Sequence, residues 1–333
     1  MLFAVFAVLI LGSDTLMTMI SGSNKGEPSD TSVRSQFAAQ VGTAGATINQ
    51  FERKFAMGFV RTRDEIARIQ KLLTDIEFRG GRYIGVEFES EPDFIESVLP
   101  PGLEPRGNNI MTAAIFDFEG GSAGPFTGAA IYVAARHGDI LGKYTMCMFM
   151  NNDNAMMFGR DIFGEPKRLA YVAFNANEKQ GGGHVDRGTA RLIEIDATFD
   201  NDLSLDPAVD IDFNYKASLA PDGVGLAGDA ILTFSELSMA PMTFRSGTAN
   251  LAFNGTVHDP LHEIPVKKIV GAHYLHSNFG AKCRELARIP GDDFLPYAYG
   301  RYPDWSVLAD ANHAETAGTR PISEVLVGSD SVR

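Results

Sequence analysis

Seven short segments rich in branched and aromatic residues follow one another along most of the chain, without the long helices that would alternate with them in a parallel sheet. Clusters of Gly, Asn, Asp and Pro bound the segments, as is typical of strands joined by turns. The pattern predicts a mainly β (α+β) fold with an antiparallel body, closed as a β-barrel, and a few peripheral helices. The segments are RYIGVEFES, IMTAAIFDF, AAIYVAAR, KYTMCMFM, ARLIEIDATF, VDIDFNY and AILTFSEL.

Two helices are predicted near the first strand. One spans residues 62–78, where apolar residues recur at helical spacing and Thr62 with Glu65 forms a capping-box pattern. The other spans residues 92–99, with Ser90 as its N-cap and a Pro-Pro pair after its end.

Composition divides the chain into three parts. Residues 1–50 form an apolar lead and a Ser/Gly/Thr-rich arm, which we predict to be disordered because it has no period that buries a face. Residues 51–310 form the folded domain, and residues 311–333 a flexible tail. The apolar lead is too short to span a bilayer and has no preceding Lys or Arg, so stable membrane insertion is not expected; a secretory signal is the alternative.

Charge and cysteine content narrow the classes of partner and of compartment. The chain has 29 Lys and Arg against 42 Asp and Glu, a formal charge of -13, with no basic stripe that would neutralise a phosphate backbone. We therefore expect no nucleic-acid partner. Cys147 and Cys283 are the two cysteines, and no metal-ligand spacing accompanies them. This cysteine content favours a cytoplasmic location. His258 and His262 are predicted to be part of a turn because Pro260 lies between them, so no metal site is predicted.

One dodecapeptide, residues 159–170, concentrates the candidate chemistry. Its sequence GRDIFGEPKRLA places Lys167 directly after Glu165 and Pro166. Because proline cannot donate to a central ladder, Lys167 is predicted to begin a strand. Met and Phe side chains crowd the segment just upstream, residues 146–158. If they face Lys167, they exclude water from its amine.

A lysine amine must lose its proton before it can act as a nucleophile. An ordinary lysine has a pKa of ~10.4, so roughly one amine in a few thousand is neutral at pH 7. Lowering a lysine pKa by ~3 to 4 units requires ~4 to 5.5 kcal/mol. Neighbouring strand residues point to opposite faces, so Arg168 is expected to point away from Lys167. Desolvation is therefore the predicted cause of activation.

This dodecapeptide resembles the segment of the acetoacetate decarboxylase family in which Gly-Arg-Glu, a spacer and Pro-Lys-Lys surround the imine-forming lysine. Lys167 takes that lysine's place. A second stretch, residues 251–270 with Glu-Ile-Pro-Val-Lys-Lys-Ile-Val, is similar to the family's closing Leu-Pro-Val-Lys-Glu-Ile-Val region. The resemblance covers approximately residues 78–279 and identifies residues 51–310 as an acetoacetate decarboxylase-like domain. It implies Schiff-base chemistry on a small keto-acid substrate, no cofactor, and a homo-oligomer.

The resemblance also implies positions for the remaining site residues. The glutamate that the family carries after an aromatic–Thr pair falls on Gly128, which has no carboxylate. Glu119, in a nearby turn, is the candidate acid in its place. Arg82 lies closest to the family's substrate-side arginine. The Met- and Phe-rich segment upstream of Lys167, rather than the resemblance, predicts the other substrate contacts, the apolar side chains of Met148, Met150 and Phe158.

The function implied is that of a cofactor-independent lyase that decarboxylates a small β-keto acid through a Schiff base on Lys167. Two alternatives stay open because Gly128 lacks the expected acid. One is a Schiff-base aldolase or dehydratase of the same superfamily. The other is a non-catalytic barrel that binds small ligands.

Overall fold

A computed structural model of the chain describes residues 59–177 and 179–309. The predicted arm, the predicted tail and the boundaries at residues 50 and 311 lie outside these ranges, so the three-part division stays a prediction. The chain divides into two units, Met1–Ile69 and Gln70–Arg333. All the strands described below belong to the second unit.

Among the described residues, helices are few and short. In chain order they include α1 (Arg63–Thr74), α2 (Pro92–Val98), α3 (Asp153–Phe158) and α4 (Gly291–Tyr299), with a π-helical turn at Gly159–Phe163 and a 3-10 turn at Leu261–Glu263. Across the described residues, no helix combines the length and the apolar character needed to cross a bilayer.

Within residues 59–177 and 179–309, thirteen strands accompany these helices. They are β1 (Ile76–Glu89), β2 (Glu104–Pro105), β3 (Ile110–Phe118), β4 (Gly120–Gly121), β5 (Phe126–His137), β6 (Ile140–Met150), β7 (Lys167–Leu169), β8 (Tyr171–Ala176), β9 (Gln180–Arg187), β10 (Ala190–Leu203), β11 (Ala208–Lys216), β12 (Ala230–Phe253) and β13 (Lys268–Ile289). The mainly β prediction is confirmed: six of the seven predicted segments lie wholly in a strand, and RYIGVEFES extends one residue past the end of β1. The sequence pattern does not reveal β13, because charged and histidine residues spread along it hide its alternation.

The two predicted helices form with corrected boundaries. The capping box of α1 is confirmed, since Thr62 N donates to Glu65 Oε2 at 2.8 Å and Glu65 N donates to Thr62 Oγ1 at 3.3 Å. That helix ends at Thr74 rather than at residue 78, because the apolar residues that follow belong to β1. Ser90 does not cap α2. Its hydroxyl donates instead to the Pro265 carbonyl at 2.8 Å.

The strands form one mixed sheet that is largely antiparallel. Seven strands make a ring in the order β11, β6, β5, β3, β1, β13 and β12, which the pairing of β12 with β11 closes. Strands β10, β9 and β8 continue the sheet from β12 outside this ring. Two pairs, β6 with β11 and β6 with β7, are parallel. The predicted closed body is therefore a ring within a larger sheet that is not purely antiparallel.

Alternation along the ring strands produces two apolar faces. Met111 and Ile115 of β3 and Ile131 of β5 belong to the larger cluster, which also includes residues of β9 and β10. Phe116 of β3 and Tyr132 of β5 belong to a second cluster on the opposite face. Because side chains two apart in a strand share a face, the second set points into the ring. A cavity of about 430 Å³ lies there, lined by residues of all seven ring strands.

Candidate active site

Aromatic side chains form much of the cavity wall. Phe118 is the centre of this cluster, with ring centroids 4.9 Å from Phe126, 5.5 Å from Phe78, 5.6 Å from Phe279 and 5.8 Å from Phe116. These rings come from four different strands, β1, β3, β5 and β13, so no local pattern in the sequence indicates that they are in contact. They make this part of the cavity apolar.

Lys167 extends into the cavity from the first position of β7. The preceding turn ends at Gly164, whose φ of 79° is in the left-handed region that glycine adopts without strain. Pro166 then leads the chain into β7, which runs parallel to β6 with Lys167 beside Met148. The prediction that Lys167 begins a strand is confirmed, although that strand is only three residues long.

The amine of Lys167 is buried and contacts two oxygen atoms. The residue is 7% exposed. Its Nζ lies 2.8 Å from Glu165 Oε2, and it donates to the Ala155 carbonyl at 3.3 Å. The ring of Phe126 lies with its centroid 6.0 Å from Nζ. The amine is thus held in a largely apolar wall beside the carboxylate of Glu165.

Glu165 is a site residue that sequence reasoning missed. It belongs to the dodecapeptide, but the motif alone predicts no role for it. Its side chain is 14% exposed, and it lines the same cavity as Lys167. The available signal was its position two residues before the lysine, since strand-like alternation places such residues on one face.

The absence of a side chain at Gly159 leaves room for this pair. A methyl group built at Gly159 would lie 2.5 Å from Lys167 Cδ, and closer still to Nζ and to Glu165 Oε2. Non-bonded carbon atoms need ~3.5–4.0 Å. The first glycine of the dodecapeptide is therefore required by the position of the lysine and the glutamate.

Arg168 points away from the cavity, as the alternation predicted. Its guanidinium pairs with Asp259 at 2.5 Å and donates to the carbonyls of His258 at 2.6 Å and Gly300 at 2.9 Å. This side chain ties the turn before the 3-10 helix to the chain after α4. Its role is structural.

The predicted substrate contacts are distributed unevenly around the cavity. Met148 lines it, whereas Met150 is fully buried in the adjoining apolar cluster and Phe158 packs at the edge of that cluster. Neither Arg82 nor Glu119 is among the lining residues. Their roles as substrate-binding group and acid stay predictions.

Strand direction explains the position of Arg82. Its neighbour Tyr83 lines the cavity, so Arg82 points to the other face of β1. There it pairs with Asp117, and its guanidinium lies 5.4 Å from the Phe174 ring centroid. Glu119 is exposed, in the turn that follows β3.

Gly128 stands where the family resemblance placed a glutamate, and the space beside it is filled. A Cβ built at Gly128 would lie 2.9 Å from Phe116 Cζ and closer still to Met150 Cε. Apolar side chains therefore replace the expected carboxylate. The acid in contact with Lys167 is Glu165, from the dodecapeptide itself.

A second polar cluster, Lys143 with Asp210 and Asp212, lies in the same cavity. Lys143 Nζ is 2.8 Å from Asp212 Oδ1, pairs with Asp210 as well, and lies 4.9 Å from the Tyr132 ring centroid. Burial alone would lower the pKa of Lys143, but the carboxylates of Asp212 and Asp210 outweigh it and raise that pKa above its ordinary value. This second cavity lysine is therefore held in its protonated form.

The sequence contained a signal for this cluster. Asp210 and Asp212 are two residues apart in β11, so they share a strand face. Their partner comes from β6, which pairs with β11 only through a parallel contact between distant segments. Sequence spacing could not reveal that pairing.

His273, from β13, is a further titratable residue in the cavity wall. It stacks on Tyr83 with centroids 5.6 Å apart. Burial lowers the pKa of His273 from 6.5 to about 4, so the imidazole is neutral at pH 7. Throughout residues 59–177 and 179–309, no group of three or more His, Cys, Asp or Glu side chains is arranged to hold a metal ion.

Comparison with related proteins gives sequence matches over most of the described chain. The acetoacetate decarboxylase 2 of Mesorhizobium japonicum is 23% identical over 225 residues, covering 66% of this chain and 84% of that protein. The acetoacetate decarboxylase of Clostridium acetobutylicum is 20% identical over 211 residues, covering 60% of this chain and 83% of that protein.

Solved structures show the same fold. The acetoacetate decarboxylase of Legionella pneumophila superposes with a TM-score of 0.60 at 19% identity, covering 72% of this chain and 95% of that one. The enduracididine biosynthesis enzyme MppR in complex with pyruvate gives a TM-score of 0.54 at 18% identity, covering 64% of this chain and 90% of that one. The family model for acetoacetate decarboxylase (ADC) matches residues 64–284. Since this match spans well over half of the sequence, the chain belongs to the acetoacetate decarboxylase family.

Proposed function

We propose that this protein is a cofactor-independent lyase that decarboxylates a β-keto acid through a Schiff base on Lys167. The observation that carries the proposal is a buried amine that opens into the cavity and contacts one carboxylate, Glu165, at 2.8 Å. Membership of the acetoacetate decarboxylase family supports it.

Among the described residues, two lysines line the cavity, and their surroundings favour Lys167 as the nucleophile. Lys143 contacts two carboxylates, and its pKa is raised, so its amine keeps the proton. Lys167 contacts a single carboxylate in a mostly aromatic wall. We infer that Lys167 is the nucleophile and that Glu165 accepts the proton that its nitrogen loses after attack on the keto carbon.

The proposed reaction then proceeds in four steps. The neutral amine attacks the keto carbon, and the resulting carbinolamine loses water to give an iminium ion. The bond between the α-carbon and the carboxyl carbon then breaks. Carbon dioxide leaves, and the electron pair of that bond forms an enamine. A proton adds to the enamine carbon. Water hydrolyses the iminium, releasing the ketone and restoring Lys167.

A second candidate is a Schiff-base aldolase or dehydratase, and the observation that favours it is Gly128. The acid expected there is replaced by Phe116 and Met150. Such an enzyme would form the same iminium but would not release carbon dioxide. Homo-oligomeric assembly and a cytoplasmic location stay predictions.

Borohydride trapping tests the imine. The protein is incubated with acetoacetate or pyruvate and borohydride, and its intact mass is measured before the adduct is located by peptide mapping. We expect one adduct, on Lys167, and none in Lys167→Met. Lys143→Met is the matched control and should still be trapped, because it removes the other cavity lysine. An adduct on Lys143, or no adduct with either keto acid, would overturn the proposal.

Carbon dioxide release separates the two candidates. We expect acetoacetate or a longer β-keto acid to lose carbon dioxide with the wild-type protein and not with Lys167→Met. Trapping without carbon dioxide release would instead assign the protein to the aldolase or dehydratase class.

A further inference from the structure

The cavity is much larger than the keto-acid group that Lys167 would bind. Its volume of about 430 Å³ lies in the range of pockets that enclose drug-sized ligands, ~300–1,000 Å³. A four-carbon acid such as acetoacetate would leave most of this space to solvent. The volume points to a longer substrate.

The two polar groups of the cavity lie at different levels of the ring. Lys167 is beside Met148 in the parallel register, and Lys143 precedes Met148 by five positions on the same strand, β6. Because β6 has a bulge between them, these two residues pair with Ala130 and Ala134 of β5, so their backbone positions are roughly 13 Å apart along the strand. Much of the cavity wall is formed by apolar and aromatic side chains, including Phe116, Tyr132 and Leu275.

The far group has an oxygen atom available to a ligand. Asp212 is 3% exposed, and its Oδ1 contacts Lys143. Among the described residues, Asp212 Oδ1 has no hydrogen-bond partner besides this ion pair, and Asp212 lines the cavity. Burial raises the pKa of this carboxyl to about 7, against the opposing effect of Lys143, with Asp210 and Glu165 adding to the rise. The protein alone therefore stabilises the carboxylate incompletely.

A hydroxyl group suits this environment in either protonation state. It can donate to the Asp212 carboxylate or accept from the protonated carboxyl. We propose that the Lys143–Asp212 end of the cavity is a second binding subsite, which takes a hydroxyl group at the far end of an apolar chain whose keto group is held at Lys167. This inference rests on the proposed function, because it takes the ligand's other end to be a keto compound at Lys167.

Paired ketones test the subsite on the wild-type protein. One is a seven-carbon methyl ketone, and the other is the same ketone with a terminal hydroxyl group. The affinity of the protein for each is measured by calorimetry. A hydrogen bond to a charged group makes the alcohol about tenfold tighter or more. Equal affinities for the two ketones would overturn the proposal. This comparison needs no variant and stands even if a cavity variant fails to fold.

Variants test whether Asp212 is the source of the preference for the hydroxylated ketone. Asp212→Leu removes the carboxyl and leaves Asp210 to pair with Lys143, and we expect the two ketones to bind it equally. Asp196→Leu is the matched control, because Asp196 is exposed on β10 outside the cavity, and it should keep the preference. A preference that persists in a folded Asp212→Leu protein would refute the assignment.

Trapping with the same ketones separates the two proposals. If the alcohol binds more tightly but no adduct forms on Lys167, the proposed function fails and the subsite stands. If both ketones bind with equal affinity and both are trapped on Lys167, the subsite fails and the proposed function stands.

Discussion

A single methyl group at Gly159 should disable the Lys167 amine without unfolding the protein. The backbone of Gly159 has φ −71° and ψ −42°, which alanine adopts without strain, so the substitution Gly159→Ala acts through its methyl group alone. That methyl would lie 2.5 Å from Lys167 Cδ, whereas carbon atoms need ~3.5 Å or more. The lysine side chain must therefore move by about 1 Å.

The size of the effect follows from this displacement. A shift of ~1 Å in a reacting group can reduce a rate about a hundredfold, so we expect imine formation to be slower by about that factor. The methyl meets the flexible parts of Lys167 and Glu165 rather than backbone, so the cost in stability should be at the low end of the ~1–3 kcal/mol typical of overpacking.

The assay is the rate of borohydride-trapped adduct formation with acetoacetate, measured beside a urea unfolding curve. Gly228→Ala is the matched control, because no atom lies within 4 Å of a Cβ built at Gly228, and it should be trapped at the wild-type rate. A folded Gly159→Ala protein that is also trapped at the wild-type rate would refute the reasoning, because Lys167 would then not need its present position.

Two further predictions concern stability. Arg168→Met should cost ~3 kcal/mol in the free energy of unfolding, because it breaks a buried pair with Asp259, although Arg187 remains 3.0 Å from that carboxylate. In urea unfolding, Arg191→Met is the control, since its exposed pair is worth ~0–1 kcal/mol, and equal losses for the two variants would contradict the structural role of Arg168. Burial lowers the pKa of His273 from 6.5 to about 4, so the unfolded protein binds this proton at a higher pH than the folded protein does. As the pH falls from 6.5 to 4, the free energy of unfolding should therefore decrease by up to ~3 kcal/mol. His273→Phe should flatten the pH dependence of the urea midpoint, and an unchanged slope would show that His273 is not its source.

Local patterns in the sequence were sufficient to predict most of the strands. The segment 110–118 was predicted with the bounds of β3, because its branched and aromatic run ends at clear turn residues on both sides. The first helix was extended too far, since Ile76 continues the helical spacing of apolar residues but packs as the first residue of β1. Periodicity alone does not distinguish these two uses of a short apolar run.

The candidate site was predictable only where it is local in sequence. Lys167 and its Gly-Glu-Pro context lie within one dodecapeptide, and alternation correctly placed Arg168 on the opposite face. Lys143 and Asp212 come from strands far apart in sequence, so their ion pair depends on a parallel contact that no local pattern specifies. The aromatic wall likewise depends on the closure of the ring, which brings Phe118 against Phe279.

Structure determination of the protein trapped with acetone and borohydride tests the central claim most directly, because it shows which nitrogen has formed the bond. The account predicts continuous density from Lys167 Nζ to an isopropyl group in the cavity, beside Phe126 and Met148. An unmodified Lys167, with the isopropyl group on Lys143 or on a surface lysine, would contradict it.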